Sequence, residues 1–90
     1  MPSDAHFMQL AIQEAMIAPS HGDIPVGAII VRDGEIIGRG HNERELHHDP
    51  TAHAEIVAMR RASAFLNDWQ LTNTTLYCTL EPCCMCAGAI

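Results

Sequence analysis

The sequence is poor in basic side chains. Its 90 residues contain five Lys and Arg against eleven Asp and Glu, which gives a formal net charge of -6. A chain of that charge repels phosphate on average, so the balance argues against a general nucleic-acid binder that relies on a basic surface. The candidates for a local basic patch are Arg39, Arg44, Arg60 and Arg61. We interpret them as ordinary solvated arginines.

Long apolar runs and a secretory leader are also missing. No apolar stretch approaches the roughly 18 residues that span a bilayer. The opening "MPSDAHFMQL" lacks the charged start and apolar run of a signal peptide. We therefore expect a soluble, cytoplasmic protein without a membrane partner. Thiols stay reduced in that compartment, so the four cysteines predict metal binding or catalysis rather than disulfides.

Aromatic residues are scarce, with two Phe, one Trp and one Tyr, although 48% of the residues are hydrophobic. Aliphatic side chains suffice for a core, which excludes a disordered chain. A chain of this length buries only about 60 to 65% of the surface that its unfolded form exposes. A metal or a partner subunit would therefore add needed stability.

Apolar residues at spacings of three and four predict a first helix over residues 4–17, with Ser3 as its N-cap and Pro19 as its stop. Its predicted inward stripe is Phe7, Met8, Ala11, Ile12, Ala15 and Met16. A β-hairpin is predicted over residues 26–40, because Asp33-Gly34 tolerates the positive φ of a tight two-residue turn.

The second half of the chain predicts a loop, a helix and a strand. Residues 41–51 are polar and irregular, and Asp49 with Pro50 predicts the start of a second helix. Its predicted inward residues are Ile56, Met59 and Ala62 or Ser63. Residues 74–80 predict a central strand, and Pro82 predicts the start of a third helix.

This order of elements predicts a layered α/β domain. The helix between the second and third strands is a crossover, so those strands should run parallel if they are neighbours. The chain stops roughly two turns into the third helix without a cap, and we expect that it is truncated at Ile90.

The stretch "EPCCMCAG" places Cys83 and Cys86 in C-x-x-C spacing at a helix start, where the helix dipole favours thiolates. Cys84 lies about 100° around the helix from Cys83, so we interpret it, like Cys78 in the strand, as a packing residue. By itself the C-x-x-C pair fits a redox site or half of a zinc site.

The motif "HAE" adds His53, a good zinc ligand, and Glu55, a carboxylate able to act on water. Two helical residues at this spacing lie about 200° apart, so the spacing alone does not bring them together. One His and two Cys would leave a fourth zinc position for water, which is typical of a catalytic site. The alternative is a closed site. Its fourth ligand would be His41, His47, His48 or Cys84, although we expect His47 and His48 to face solvent.

These motifs resemble the H-x-E and P-C-x-x-C signature of the zinc-dependent nucleoside and nucleobase deaminases. The stretches "DIPVGAIIV", "DPTAHAEI" and "TLYCTLEPCCMCAGAI" are similar to the bacterial tRNA-specific adenosine deaminases within that group, and the resemblance covers essentially all 90 residues. It implies a three-layer α/β/α cytidine-deaminase-like fold with a mixed sheet. Residues 1–90 would hold the first three strands and parts of three helices. They would form the N-terminal two thirds of one catalytic domain, which assembles as a homodimer.

The resemblance also implies roles for five residues. His53, Cys83 and Cys86 would bind one Zn²⁺ per chain, Glu55 would be the catalytic proton shuttle, and Asn42 would hydrogen-bond the target nucleoside. The implied reaction converts adenosine to inosine at the wobble position in a tRNA anticodon loop. The alternatives are deamination of guanine, cytosine or cytidine, a non-catalytic structural zinc module, and a redox C-x-x-C protein.

Overall fold

The computed structural model describes residues 3–49, 51–68, 71 and 73–79. Its helices are α1 (Asp4–Ala15), α2 (Arg44–His47) and α3 (Ala54–Leu66), with a 3₁₀ turn at Ala18–His21, and its strands are β1 (Gly27–Arg32), β2 (Glu35–His41) and β3 (Thr75–Cys78). The predicted third helix, with Cys83, Cys84 and Cys86, lies outside the described residues, as does Ile90. Within the described ranges no helix is long and apolar enough to cross a membrane.

The three strands form one sheet in the order β2-β1-β3, and β1 pairs antiparallel with both neighbours. β2 and β3 therefore run in the same direction but are separated by β1, so the condition for a parallel pair between them is not met. The prediction that the strand within residues 74–80 is central is wrong for the described sheet. β1 is central because its apolar residues are buried on both faces, whereas β3 is half-buried at the edge.

Helices α1 and α3 cover opposite faces of this sheet. Ile29 and Val31 of β1 pack with Phe7 and Ala11 of α1. The alternate residues of β1 pack on the other face with α3, in a cluster of Val26, Ala28, Ile30, Ile37, Ala54, Ala58 and Ala62. Alternation along β1 thus produces two core layers, and the predicted three-layer α/β/α arrangement is confirmed.

Small residues let α3 lie unusually close to β2. A Cβ atom placed on Gly40 would overlap the carbonyl oxygen of Ala54 and lie 2.5 Å from the Ala58 nitrogen. One placed on Gly38 would overlap the carbonyl oxygen of Ala58 and lie 2.9 Å from the Ala62 Cβ. The helix therefore presents its alanines to the glycines of the strand.

This close approach corrects the predicted inward face of the second helix. Ala62 is buried as predicted, but Ile56, Met59 and Ser63 are only half-buried. The three α3 residues with no exposed surface, Ala54, Ala58 and Ala62, are those that lie against Gly38 and Gly40. Helical spacing identified the helix, but it did not show that the partner surface lacks side chains.

The first helix begins as predicted, because the Ser3 hydroxyl oxygen accepts a hydrogen bond from the His6 nitrogen at 3.2 Å. It ends at Ala15, two residues before the predicted end. Its inward stripe is corrected at two positions: Ile12 and Met16 are 45% and 66% exposed. The buried positions between them are occupied by Glu14 and Ala15.

The predicted hairpin turn is confirmed, since both Asp33 and Gly34 have positive φ, 53° and 77°. The following strand contains a β-bulge. Ile30 pairs with Gly38 and Val31 pairs with Ile36, so β2 has one extra residue, Ile37, at this point.

Residues 41–51 are not wholly irregular, because they contain the short helix α2. The predicted helix start at Asp49 is also wrong, since α3 begins at Ala54 with His53 as its N-cap. Asp49 instead closes the preceding turn: its Oδ1 accepts from the Thr51 nitrogen at 2.9 Å and from the Thr51 hydroxyl at 2.7 Å. Those bonds, chiefly the one from the Thr51 hydroxyl, hold the pKa of Asp49 below its usual value.

Candidate metal and substrate site

His53 and Glu55 lie at the start of α3. His53 is the N-cap, with extended backbone (φ -73°, ψ 155°), and Glu55 is the second residue of the helix. Because His53 is not in helical conformation, the 200° separation expected for two helical residues does not apply between them. His53 is half-buried, whereas Glu55 is only 4% exposed.

Asn42 lies against the same helix start. Its Oδ1 accepts a hydrogen bond of 3.0 Å from the backbone nitrogen of Ala54. The first N–H groups of a helix have no partner within the helix, and the side chain of the N-cap His53 makes no capping bond. Asn42 therefore caps α3 from another element, and it lies next to the residue between His53 and Glu55.

The bulge in β2 determines on which face of the sheet each later residue lies. Opposite residues of an antiparallel pair share a face, so His41, paired with Gly27, lies on the α1 side of the sheet. There its Nδ1 lies 2.9 Å from Glu14 Oε1, with the carboxylate accepting the hydrogen bond. Asn42 follows on the α3 side, where Ala54 is. Without the extra residue in β2, both side chains would exchange faces.

Glu43 is the centre of a buried polar cluster beside Asn42. Its Oε2 accepts from Arg61 Nη2 at 3.0 Å, and its Oε1 lies 2.7 Å from His47 Nε2. His41 Nε2 lies 3.3 Å from Glu43 Oε2. A buried carboxylate needs such partners, because an uncompensated charge would cost several kcal/mol.

Sequence reasoning missed Glu14 and Glu43 in this cluster. A signal for Glu14 was present: it occupies a helical position between Ala11 and Ala15 on the buried face, where a carboxylate requires a partner. For Glu43 the sequence held no such signal, because its partners come from α2, α3 and the end of β2.

The other histidines and Cys78 also have defined places. His47 and His48 are exposed, as predicted. His41, a candidate fourth ligand of a closed site, is instead held between two carboxylates. Cys78 is half-buried and packs against the α3-side core, as predicted.

Of the five predicted site residues, His53 and Glu55 lie at the start of α3 and Asn42 bonds the Ala54 nitrogen there, while Cys83 and Cys86 lie outside the described part of the chain. Within the described part, no three His, Cys, Asp or Glu side chains converge to hold a metal. A half-buried imidazole at a helix start, beside a buried carboxylate, fits zinc as one ligand and one proton-transfer group. The fold is the one expected for the class of zinc-dependent deaminase domains.

Comparison with known proteins agrees with this class. The protein-family model of the cytidine and deoxycytidylate deaminase zinc-binding region matches residues 1–90. The tRNA-specific adenosine deaminase of Buchnera aphidicola subsp. Baizongia pistaciae is 54% identical over 88 residues, which are 98% of this chain and 54% of that protein. The chain therefore belongs to the cytidine and deoxycytidylate deaminase zinc-binding family. It spans about half the length of the curated relatives it matches.

Solved structures give the same fold. One, from work on A-to-I editing by tRNA:A34 deaminases at the wobble position of transfer RNA, has a TM-score of 0.91 and 46% identity, covering 94% of this chain and 65% of that one. The guanine deaminase of Bacillus subtilis also has a TM-score of 0.91, at 42% identity, covering 99% of this chain and 57% of that one. The predicted family and fold class are confirmed.

Proposed function

We propose that the protein containing this chain hydrolyses adenosine to inosine and ammonia at the wobble position of tRNA. One observation supports the site: Asn42 Oδ1 accepts a hydrogen bond from the nitrogen of Ala54, the residue between His53 and Glu55. We assign the Asn42 carboxamide to substrate binding. The choice of tRNA adenosine is supported by relatives at about half identity that are tRNA-specific adenosine deaminases.

In this proposal His53, Cys83 and Cys86 hold one Zn²⁺ per chain. When bound, zinc supplies a water molecule that loses a proton near neutral pH. Glu55 is the base. Its carboxylate takes one proton from the attacking water and delivers it to the ring nitrogen. It then takes the second proton, from the hydroxyl group now bonded to the ring carbon, and delivers it to the amino group, which leaves as ammonia. Burial of Glu55 suits this work, because few solvent molecules compete for the proton.

Asn42 recognises the target nucleoside. Its Oδ1 is used by the Ala54 nitrogen, so the carboxamide orientation is fixed and Nδ2 is the donor that meets an acceptor atom of the substrate. A rigid donor of this kind reduces the entropy lost on binding.

The substrate must offer an unstacked base, and an anticodon loop does so without the cost of opening a duplex. Two of the four candidate arginines are engaged within the chain, because Arg60 pairs with Asp49 and Arg61 with Glu43, so these two offer little positive charge for RNA. Contacts to the RNA would then come from further segments of the protein and from the second subunit of a homodimer. We place this enzyme in the cytoplasm, where tRNA is available.

Deamination of a free base is the second candidate, and one observation favours it. A guanine deaminase matches this fold as closely as the tRNA-editing structure does, with the same TM-score. The chemistry on which the two activities depend is shared, so the difference must lie in what surrounds the base.

The experiment is incubation of the protein, expressed from its complete reading frame, with an anticodon stem-loop and separately with guanine and cytosine. Inosine formed in the RNA without turnover of free bases is the expected result. Turnover of a free base with no inosine in the RNA would refute the tRNA assignment.

Substitution of Glu55→Gln tests whether the domain is an enzyme or a structural zinc module. The amide keeps the shape of the carboxylate but cannot carry the proton, so we expect zinc content to be retained and activity to fall by about 10² to 10⁴. The measurements are metal content per chain and turnover. Activity equal to the unsubstituted protein would exclude Glu55 as the shuttle.

A further inference from the structure

We propose that Glu43 is a positioning residue for Asn42. Its buried carboxylate fixes the segment of residues 42–43 and so directs the Asn42 carboxamide toward the substrate. The inference rests on the proposed function and adds to it a residue outside the H-x-E and C-x-x-C motifs.

The first step is the fixed position of the Glu43 carboxylate itself. It is 4% exposed, and both oxygens have cationic or hydrogen-bonding partners: Arg61 on one and His47 on the other. Moving this side chain would separate a buried charge from its partners, so the carboxylate has one favourable place.

The second step is the link to α3. Arg61 lies about two turns into α3 from Ala54, and its two terminal nitrogens bond to different partners. Nη2 donates to Glu43, and Nη1 donates to the carbonyl oxygen of Arg39 at 2.9 Å. One planar guanidinium therefore ties α3 both to β2 and to the residue that follows Asn42.

The third step is the link to α1. His41 contacts Glu43 on one side and Glu14 on the other, with Nδ1 to Oε1 at 2.9 Å. The residues on either side of Asn42 are thus held by helices from opposite faces of the sheet.

The backbone completes the constraint. The Glu43 nitrogen donates to the Ala52 carbonyl at 2.9 Å, and the Asn42 nitrogen donates to the Val26 carbonyl at 3.2 Å. With the Ala54 bond to Oδ1, the segment is fixed from three directions. Releasing the Glu43 side chain would loosen the segment and so misdirect the carboxamide.

The test is a set of double-mutant cycles in the protein expressed from its complete reading frame. The variants are Glu43→Gln, Arg61→Met and Arg61→Lys, each alone and combined with Asn42→Ala. Arg60→Met is the matched control, because Arg60 is the neighbouring arginine of α3 but its side chain is 62% exposed and pairs with Asp49 and Thr51 instead of Glu43. The readouts are kcat and KM on the anticodon stem-loop and on guanine, zinc per chain, and thermal unfolding.

We expect Glu43→Gln and Arg61→Met each to lower kcat/KM about tenfold, chiefly through KM, because the lost contact binds substrate and transition state alike. Arg61→Lys should recover part of this loss, zinc content should not change, and Arg60→Met should stay within about twofold. In the Asn42→Ala background, the same substitutions should lower kcat/KM by less than about a further twofold, because no carboxamide remains to be positioned.

A full tenfold loss in the Asn42→Ala background would overturn the inference, as would loss of stability with unchanged kinetics per folded molecule. If Glu43→Gln fails to fold, the Arg61 variants decide, because that side chain is 50% exposed and leaves the core intact. If the unsubstituted protein deaminates guanine but not the stem-loop, only the tRNA assignment is refuted. The double-mutant cycles are then measured with guanine as the substrate. Failure of the cycles in an active protein refutes only the role of Glu43.

Discussion

Replacing Gly40 by Ala tests whether the site depends on the close approach of α3 to β2. The added methyl group would overlap the Ala54 carbonyl oxygen and lie 2.5 Å from the Ala58 nitrogen. Both obstructing groups are backbone, so no side-chain rotation relieves the overlap, and α3 must move away from the strand.

The magnitude follows from two opposing effects. Overpacking a close contact costs about 1–3 kcal/mol, and backbone obstruction favours the upper part of that range. Ala also restricts the unfolded chain, which returns about 0.4–1 kcal/mol. We expect the free energy of unfolding to fall by about 2 kcal/mol.

Gly38→Ala is the matched control, because its Cβ would meet Ala58 and Ala62, one turn further along α3 from His53. The two variants should lose similar stability in urea unfolding. Only Gly40→Ala, which displaces the first turn of α3, should also lose zinc per chain and turnover per folded molecule.

Two results would refute this reasoning. If Gly40→Ala unfolds at the same urea concentration as the unsubstituted protein, α3 does not lie as close to β2 as described. If both variants lose zinc and turnover equally, the first turn of α3 has no special role, and the effects reflect general destabilisation.

Two further predictions concern titration. The pKa of Asp49 is lowered from 3.8, mainly by the Thr51 hydroxyl, so its contribution to stability is present above pH 3.8 and is lost as pH falls through the lower folded value. Thr51→Val should raise the pKa of Asp49 in an NMR titration, and an unchanged midpoint would contradict the contact. The pKa of Tyr77 is raised from 10.0, mainly by its hydrogen bond to Asp4, so its contribution is present below pH 10 and is lost as pH rises through the higher folded value. Asp4→Asn should bring the Tyr77 midpoint back toward 10.0 in an absorbance titration referenced to Tyr77→Phe, and no change would exclude Asp4 as the cause.

Local chemistry could be predicted from the sequence. The turn at Asp33-Gly34 and the Ser3 cap depend on residues close together in the chain, and both are confirmed. The start of α3 could not be predicted in the same way. Asp49 and Pro50 have the composition of a helix start, but the cap comes from Asn42, twelve residues before Ala54.

Long-range pairing accounts for the other differences between the sequence-based predictions and the structure. β3 was expected to be central because of its own composition, yet strand order depends on which partner buries more surface, and β1 is apolar on both faces. The pairing of Glu14 with His41 joins residues 27 positions apart and depends on the bulge in β2. No periodicity in the sequence encodes that bulge, although a carboxylate on a buried helix face indicates that some partner exists.

The geometry of the proposed site is therefore determined largely by β2, a strand that contains none of the proposed metal ligands. Its glycines determine how close α3 lies, and its bulge determines that Asn42 meets α3 while His41 meets α1. The His and Glu of the H-x-E motif lie on the helix that this strand positions. Substitution of Gly40, which faces the first turn of α3, should therefore alter zinc binding and turnover without contacting metal or substrate. Substitution of the motif residues should alter the chemistry with the fold intact.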